Sequence, residues 1–385
     1  MAAPWNADDF DQVLAGIAAA AAEHDRDGSF PHGAFVELHR VGLLGWCVPA
    51  AMGGSGAGLA EASRIVERVG SADPSVGLLL SQHYLFHAML AAGAWPRPQT
   101  EAVQRSAVED GALINALRVE PELGTPARGG MPATVAARRA DDGGGWSLRG
   151  HKIYATGIPA LRWLAVWART DDADPLMGMF LVPAETPGIG VIETWDHLGM
   201  RATASHDVVF EDTRVGPEAA VDVRPPAEWA TPDPVLSAWN AMLIAALYHG
   251  VALAARDWLI GYLNERTPSN LGAPLATLPR FQLVTGEIEA VLHTSGRLLQ
   301  SAAHDVDDAG GPALAAAAQS AALVKHTVTA NAVRAVELAL SLVGNPGLSR
   351  HQPLERHYRN VLCSRIHTPQ DDTILTVAGR QALGR

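Results

Sequence analysis

The residues best suited to chemistry lie near the C-terminus, in the segment Arg365-Ile366-His367-Thr368-Pro369-Gln370-Asp371-Asp372. It follows two long segments rich in Ala, Leu and Val, and apolar packing gives little reason for its polar composition. An imidazole can transfer protons near neutral pH, and a carboxylate within hydrogen-bond reach of a substrate can act as a general base. The segment is therefore either a polar surface turn or one wall of an active site.

Two further histidines, His83 and His87, stand four residues apart in an apolar segment that begins at Asp73-Pro74-Ser75. Asp followed by Pro is typical of a helix start, so both imidazoles are expected on one helix face. A lone histidine in an apolar helix is more often a hydrogen-bonded core residue than a catalytic one. Since the pair lacks the glutamate of an HExxH motif and an evident third ligand, we predict no metal site.

The segments that must position these side chains change character twice along the chain. Residues 1–112 read as helical, because apolar residues recur at the i, i+3, i+4, i+7 spacing of one helix face. Residues 113–223 read as short strands separated by Pro, Gly and Asp. With no helix-length segment between the strands, the sheet is expected to be antiparallel. After Arg224-Pro225-Pro226 the helical pattern returns.

We therefore predict an α+β multidomain protein with an N-terminal helical domain (1–112), a central antiparallel β domain (113–223) and a C-terminal four-helix bundle (224–385). The expected strands are Ala133–Arg139, Trp146–Tyr154, Leu161–Thr170, Met177–Val182 and His206–Glu211. The first two are expected to form a hairpin across a Gly-rich turn at 141–145. One apolar stripe is expected to face the bundle interior: Val324, Val328, Ala332, Val336, Ala339 and Val343.

The composition restricts the class of protein. The chain has 385 residues, 48% of them hydrophobic, and a net charge of −12 without a basic run, so nucleic acid is not an expected partner. No apolar run reaches the roughly 18 residues of a membrane span, and the first residues do not form a signal peptide. Cys47 and Cys363 are too few for a disulfide framework. We expect a soluble cytoplasmic protein, with either thiol buried or, less often, reactive.

Several stretches, in order and over nearly the whole chain, resemble the acyl-CoA dehydrogenase superfamily. The stretch Gly150-His151-Lys152-Ile153-Tyr154-Ala155-Thr156-Gly157 resembles the strand beside the flavin in that family. The other stretches are Cys47-Val48-Pro49 with Met52-Gly53-Gly54, Val119-Glu120-Pro121-Glu122-Leu123-Gly124-Thr125, Leu198-Gly199-Met200-Arg201-Ala202-Thr203 with Val208-Val209-Phe210-Glu211-Asp212, and Leu354-Glu355-Arg356-His357-Tyr358-Arg359-Asn360. The resemblance implies a helical–β–helical subunit that forms dimers or tetramers and holds a flavin between the β domain and the bundle.

Position by position, the resemblance also implies which residues contact the flavin. They are Val119, Gly124, Thr125, Tyr154, Thr156, Arg266, Gly344 and Asn345. Among them, Thr156 and Tyr154 would lie beside the isoalloxazine ring, and Arg266 would reach phosphate from a neighbouring subunit, where its planar fork donates two hydrogen bonds. The simpler readings stay open: Thr156 as a strand residue, Arg266 as a surface charge and Gly124 as a turn residue.

Departures from the family pattern concern the adenine half of FAD. Pro126 stands where an acidic residue is usual, Pro279 where a glutamine is common, and Asn345 replaces the second glycine of a Gly-Gly turn. The cofactor expected here is therefore a flavin that is either FMN or FAD, supplied in reduced form.

The largest departure concerns the catalytic base. Acyl-CoA dehydrogenases remove a proton with a glutamate that follows an Ile-Tyr pair, and here the corresponding residues are Ile366, His367 and then Thr368. A second branch places the glutamate on an earlier helix, where Asn240 stands. Neither a threonine nor an asparagine is a usable general base. Asp371 and Asp372 are displaced by three and four residues from the expected position, which makes them weak substitutes.

One branch of the superfamily instead oxygenates small organic molecules, through a flavin C4a-hydroperoxide made from O2 and reduced flavin that a separate reductase supplies. The C-terminal segment and Ser81-Gln82-His83-Tyr84 resemble that branch, which includes dibenzothiophene and sulfone monooxygenases. The resemblance gives His83, His367 and Thr156 as catalytic residues. Two alternatives stay open: an acyl-CoA dehydrogenase or oxidase with an atypical base, and a flavin-fold subunit without catalysis.

Overall fold

The computed structural model describes residues 7–123, 130–139 and 144–384. In these ranges the α-helices are α1 (Ala7–Asp27), α2 (His32–Arg40), α3 (Leu59–Ala72), α4 (Pro74–Ala91), α5 (Arg97–Glu109), α6 (Pro234–Glu265), α7 (Pro279–Asp307), α8 (Pro312–Val343), α9 (Pro353–Leu362) and α10 (Asp371–Ala382). The strands are β1 (Leu113–Leu117), β2 (Val135–Arg138), β3 (Trp146–Lys152), β4 (Leu161–Thr170), β5 (Met177–Pro183), β6 (Ile189–Ile192), β7 (Asp207–Val215) and β8 (Ala220–Arg224). Helices precede and follow the strands, which confirms the predicted layout.

Helices α4 and α6 lie in the middle of the protein because they are apolar on every face. In α4, 15 of 18 residues are buried, and the helix starts as predicted, with the Asp73 carboxylate accepting a hydrogen bond from the Ser75 amide. By length and composition α6 alone among the described helices could cross a membrane, but 78% of its apolar window is buried inside the protein. A helix without a polar face is stable in water only when other elements surround it.

The strands form one curled sheet, and the predicted antiparallel arrangement holds for most of it. The order is β6-β7-β3-β2-β4-β5-β8, with β1 also paired to β4. β2 and β3 pair antiparallel as predicted, although the turn between them lies mostly outside the described residues. β4 and β5, β5 and β8, β3 and β7, and β6 and β7 are also antiparallel.

The prediction of a wholly antiparallel sheet is wrong at one edge of β4. β1 runs parallel to the first half of β4, from Leu113 to Leu117, and β2 runs parallel to its last two residues, Arg169 and Thr170. Both strands reach β4 by longer connections rather than by a tight hairpin, and such connections permit parallel pairing. The sheet is therefore mixed.

The C-terminal helices pack as a bundle around α6 and α8, as the sequence predicts. The whole apolar stripe of α8 is buried: Val324, Val328, Ala332, Val336, Ala339 and Val343. α7 and the short helix α9 each pack against both helices of this pair. α10 packs on α8 through a single buried residue, Ile374. The segment between α9 and α10, which contains His367, is thus held between the bundle and the end of the chain.

Candidate active site

The turn after β3 presents Thr156 next to an exposed aromatic ring. Tyr154 adopts the left-handed conformation (φ 59°) and its side chain is 51% exposed. Gly157 also has positive φ (78°), and a Cβ there would lie 2.4 Å from Leu79 Cδ2 of α4. The Ala155 amide donates to the His206 carbonyl (3.1 Å), and the Gly157 amide donates to the Thr203 carbonyl (2.9 Å). These bonds fix the turn against the segment 203–206.

A row of hydroxyl groups runs inward from Thr156. Its Oγ1 lies 2.9 Å from Ser205 Oγ, which lies 2.8 Å from Thr203 Oγ1. Thr203 Oγ1 donates to the Met200 carbonyl at 2.8 Å. Thr203 and Ser205 are buried, while Thr156 is half-buried. Ser205 was not predicted as a site residue, although it lies in a run of small residues with Thr203.

Three aromatic rings gather beside this turn. The Trp195 and His197 rings are stacked with centroids 3.7 Å apart, and the Tyr154 ring stands edge-on to both at 6.2 and 5.8 Å. Partial burial lowers the pKa of His197, so the ring is neutral at pH 7. A partly exposed aromatic surface next to a hydroxyl and backbone groups suits a flat, uncharged heterocycle, because such a surface offers stacking and hydrogen bonds without adding charge.

The loop before Thr203 is docked onto α9. The Met200 amide donates to Asn360 Oδ1 at 2.8 Å, and Asn360 is buried. At Gly199 a Cβ would lie 2.5 Å from the Arg359 carbonyl oxygen, so only glycine permits this approach of two backbones. Arg359 donates to the Leu198 carbonyl at 2.8 Å. These contacts join the β domain to α9, the helix that precedes the segment containing His367.

Removing this contact is expected to lower stability modestly. The Asn360→Ala variant leaves the Met200 amide buried without its acceptor, which costs about 1–2 kcal/mol in the free energy of unfolding. Urea denaturation monitored by tryptophan fluorescence measures this difference. The matched control is Asn264→Ala, which removes an amide that donates to the Ile260 carbonyl at the exposed end of α6 and should change stability by less than about 0.5 kcal/mol. Equal losses of stability in both variants would contradict a stabilising role for the contact between Asn360 and Met200.

His367 is held by a buried tyrosine of α6. Its Nδ1 lies 2.8 Å from the Tyr248 hydroxyl, and Tyr248 is fully buried. Within the described residues this hydroxyl has no other hydrogen-bond partner, so we assign it as the donor, which leaves the imidazole proton on Nε2. Burial, together with the charge of Lys325, lowers the pKa of His367 to about 4. The imidazole is therefore neutral at pH 7, and its Nε2–H is able to donate a hydrogen bond.

The two positions where the family places its glutamate are in contact with each other. Asn240 Nδ2 donates to the Thr368 carbonyl at 2.7 Å. Asn240 and Tyr248 lie eight residues apart on α6, so one face of that helix holds both His367 and Thr368. The structure thus brings the two sequence positions into one site, and neither carries a carboxylate.

The displaced carboxylates are engaged elsewhere. Asp371 Oδ1 lies 3.6 Å from the ammonium of the fully buried Lys325 and 3.2 Å from His326 Nδ1. Burial lowers the pKa of Lys325, and the Asp371 carboxylate opposes that shift. Asp372 accepts a hydrogen bond from the amide of Thr373 at 2.8 Å, at the start of α10. Neither contact directs a carboxylate towards His367 or Thr368.

His83 and His87 are fully buried on α4, and their rings meet edge to face with centroids 4.4 Å apart. His83 Nε2 lies 2.8 Å from the Leu44 carbonyl, and burial lowers the pKa of His83 to about 4. Its Nδ1 and both nitrogens of His87 lack a hydrogen-bond partner within the described residues. His83 lies one turn beyond Leu79, the residue that packs on Gly157. Its catalytic assignment stays a prediction.

The remaining predicted cofactor residues that the structure describes lie in two regions. Val119 pairs with Ile153 as an isolated bridge, next to the buried ion pair between Glu120 and Lys152 (2.6 Å). Gly124 and Thr125 lie outside the described residues. Arg266 at the end of α6 is exposed, as are Gly344 and Asn345 after α8. In one subunit, then, Tyr154, Thr156 and Val119 share a region, while Arg266, Gly344 and Asn345 lie at helix ends.

Comparisons with known proteins agree with the three-part fold. Models of the acyl-CoA dehydrogenase N-terminal, middle and C-terminal domains match residues 11–95, 119–213 and 242–371. The chain belongs to the acyl-CoA dehydrogenase family, which confirms the resemblance seen in the sequence.

The named relatives carry different activities. A putative acyl-CoA dehydrogenase of Bacillus subtilis is 32% identical, over 96% of this chain and 92% of its own length. An L-evernosamine nitrososynthase of a Micromonospora species is 31% identical, over 97% of this chain and 88% of its own length. KijD3, solved with FMN and dTDP-3-amino-2,3,6-trideoxy-4-keto-3-methyl-D-glucose, has a TM-score of 0.84 at 28% identity, covering 98% of this chain and 92% of KijD3. TdsC of Paenibacillus, solved with FMN and indole, has a TM-score of 0.86 at 20% identity, covering 98% and 97%, and is similar in fold.

Proposed function

We propose that this protein is a flavin-dependent monooxygenase that takes a reduced flavin from a separate reductase and uses O2 to oxygenate a small organic substrate. Two kinds of relative support a flavin oxidoreductase: one named as an acyl-CoA dehydrogenase and one named as a nitrososynthase. KijD3, at 28% identity, was solved with FMN. The choice between dehydrogenation and oxygenation rests on the site itself.

One observation carries that choice. Both positions that would hold a catalytic glutamate carry uncharged side chains, Asn240 and Thr368. The Asn240 side-chain amide donates a hydrogen bond to the Thr368 carbonyl at 2.7 Å. Removal of a proton next to a thioester needs a carboxylate within hydrogen-bond distance. Asp371 is paired with Lys325 and His326 instead. This arrangement offers no carboxylate at either family position, which favours a reaction of reduced flavin over a dehydrogenation.

The residues around Thr156 fit a flavin. Tyr154, Trp195 and His197 offer an aromatic surface, and Thr156 offers a hydroxyl beside it. By family position, Val119, Gly124, Thr125, Gly344 and Asn345 would complete the cofactor site. Arg266 would act on the flavin of a neighbouring subunit, because it is exposed at the end of α6, so the working form would be a homo-oligomer. FMN is the simpler occupant, because the departures at Pro126, Pro279 and Asn345 all affect the adenine half of FAD.

When bound, reduced flavin supplies two electrons with which O2 is split, so that one oxygen atom enters the substrate and the other leaves as water. The chain's own residues control that step. His367 keeps its proton on Nε2 because Tyr248 binds Nδ1, and it can donate a hydrogen bond to negative charge that develops on oxygen. Its low pKa keeps the ring neutral. The apolar helices α4 and α6 limit the access of water, which would divert oxygen to hydrogen peroxide.

A dehydrogenase is the second candidate, since the relative at 32% identity bears that name. In that case Asp371 would have to leave Lys325 and act as the base. This arrangement predicts tightly bound FAD that an acyl-CoA thioester bleaches under anaerobic conditions. The third possibility, a subunit without catalysis, predicts no reaction of bound flavin with either oxygen or thioester.

An anaerobic titration followed by exposure to oxygen separates these functions. We expect chemically reduced FMN to bind saturably, the complex to consume O2, and acyl-CoA thioesters of short, medium and long chain to leave bound FAD oxidised. The matched variant Asp371→Asn should not change the thioester result. Bleaching of FAD by a thioester that is lost in Asp371→Asn would overturn the proposal in favour of the dehydrogenase. Absence of flavin binding would overturn both enzymes.

A further inference from the structure

The row of hydroxyl groups that begins at Thr156 has only one possible direction of hydrogen bonding. Its inner end is the carbonyl oxygen of Met200, which can only accept. That oxygen also accepts the indole N–H of Trp195 at 3.0 Å. Since Thr203 Oγ1 lies 2.8 Å from it, the Thr203 hydroxyl proton must lie between the two atoms.

Each of the remaining contacts then has a fixed donor. A hydroxyl has one proton, so Thr203 accepts from Ser205, 2.8 Å away, because its own proton is already used. Ser205 in turn accepts from Thr156, 2.9 Å away. Three protons serve three contacts, and none is left over. The remaining hydrogen-bonding positions of Thr156 Oγ1 consequently carry lone pairs only.

The backbone keeps this row in place. Met200 and Ala204 both adopt the left-handed backbone conformation, with φ of 54° and 43°. Residues other than glycine rarely adopt this conformation. The Thr203 carbonyl accepts from the Gly157 amide at 2.9 Å, and the Thr156 carbonyl accepts from Asn115 Nδ2 at 3.0 Å. Because both ends are held, the hydroxyl groups cannot separate without breaking several other hydrogen bonds.

We propose that Ser205 and Thr203 are positioning residues that turn Thr156 into an obligate hydrogen-bond acceptor, so that the site selects a flavin that bears hydrogen at N5, the reduced form, over the oxidised form. The inference rests on the proposed function, in which Thr156 lies beside the flavin. A reduced flavin with its N5 beside Thr156 would donate from N5–H to the Thr156 lone pairs. An oxidised flavin has an unprotonated N5, which would face those lone pairs without a proton between them.

Two variants leave the Thr156 hydroxyl free to donate a hydrogen bond to the flavin, each for a different reason. Ser205→Ala removes the acceptor of that proton. Thr203→Val keeps the shape of the side chain but removes the acceptor for Ser205, so that Ser205 can donate to Thr156 instead. In both variants we expect the Kd of oxidised FMN to fall about tenfold, the size of one hydrogen bond, while the Kd of reduced FMN stays within about twofold. The two-electron midpoint potential of bound FMN should fall by about 30 mV.

Controls separate this effect from general damage. Thr327→Val removes a hydroxyl that donates to the Leu323 carbonyl on the exposed face of α8 and should leave both Kd values unchanged. Ser205→Thr retains a hydroxyl and should restore the Kd ratio of the original protein. Thr156→Val should instead raise the Kd of reduced FMN and leave that of oxidised FMN nearly unchanged.

One result would overturn the inference. In it, Thr156→Val raises the Kd of reduced FMN, but Ser205→Ala and Thr203→Val change neither the ratio of the Kd values of oxidised and reduced FMN nor the midpoint potential of bound FMN. A loss of affinity for both forms of FMN in equal proportion would also overturn it, since that is the signature of a structural defect. If Thr156→Val changes neither Kd, the placement of Thr156 at the flavin fails, and with it the proposed cofactor site. Fluorescence and absorbance titrations, done anaerobically for reduced FMN, give all of these values.

Discussion

The His367→Ala variant is expected to return bound reduced FMN to its oxidised state about 10²-fold faster than the original protein after mixing with O2, with a matching release of hydrogen peroxide. The variant loses the Nε2–H donor that the Tyr248 hydroxyl holds in position at 2.8 Å from Nδ1. A hydrogen bond to the charged, partly reduced oxygen that precedes peroxide release is worth up to about 3 kcal/mol, so its loss lowers the barrier to release and raises the rate by about two orders of magnitude. Stopped-flow absorbance and a peroxide assay measure the two quantities without a known substrate.

Two further variants test whether the effect belongs to the imidazole. Tyr248→Phe keeps the ring that packs on His367 but removes the hydroxyl that keeps the imidazole proton on Nε2. We therefore expect a smaller acceleration of FMN reoxidation, about tenfold. His351→Ala changes an exposed histidine outside the site and should have no effect. Unchanged reoxidation in both His367→Ala and Tyr248→Phe would remove the pair from the mechanism.

Acidification from pH 7 to pH 5 is expected to lower the free energy of unfolding by at least about 4 kcal/mol. Burial lowers the pKa of His83 and His367 to about 4 and that of His357 to about 3, whereas in the unfolded chain all three titrate near 6.5. The neutral rings therefore contribute stability above pH 6.5 that is lost as the pH falls towards 4, about 2 kcal/mol for each at pH 5. His87 shifts in the same direction. Asp73, with its pKa raised to about 6, opposes the loss by about 1 kcal/mol.

Urea denaturation at pH 7, 6 and 5 measures this dependence. His357→Gln, which has no titrating group, should reduce the loss between pH 7 and 5 by about 2 kcal/mol, even though it lowers stability at pH 7. The matched control His304→Gln changes an exposed histidine in the last turn of α7 and should leave the slope unchanged. A His357→Gln profile parallel to that of the original protein would contradict the assignment.

Much of the fold was predictable because its elements have clear local signals. The Asp73 cap, the apolar stripe of α8 and strand β4 at Leu161–Thr170 depend on residues close together in sequence. Strands β1, β6 and β8 were missed, since each has only four or five residues and short runs give weak periodicity. The parallel pairing of β1 and β2 with β4 was also missed, because pairing between distant strands leaves no local pattern in the sequence.

The site was predictable only in part, for the same reason. Family position gave His367, Thr368 and Asn240, and the structure adds that Asn240 and Thr368 are hydrogen-bonded to each other. Tyr248 and Ser205 were not predicted. Tyr248 resembles any other buried residue of α6, and Ser205 lies 49 positions from the Thr156 hydroxyl that it contacts. Contacts of this kind depend on how three parts of the chain pack together.

The ion pair between Lys325 and Asp371 links the last described helix to the electrostatics of the imidazole. Lys325 is fully buried and lies 3.5 Å from the Ser364 carbonyl, and Asp371 is the carboxylate that compensates its charge. A chain shortened to end before Asp371 would keep every predicted site residue and still lose that counter-ion. The ammonium would then tend to release its proton, and the positive potential that helps keep His367 neutral would decrease. Trimming the C-terminus would therefore change the proton affinity of His367 even though no predicted site residue is removed.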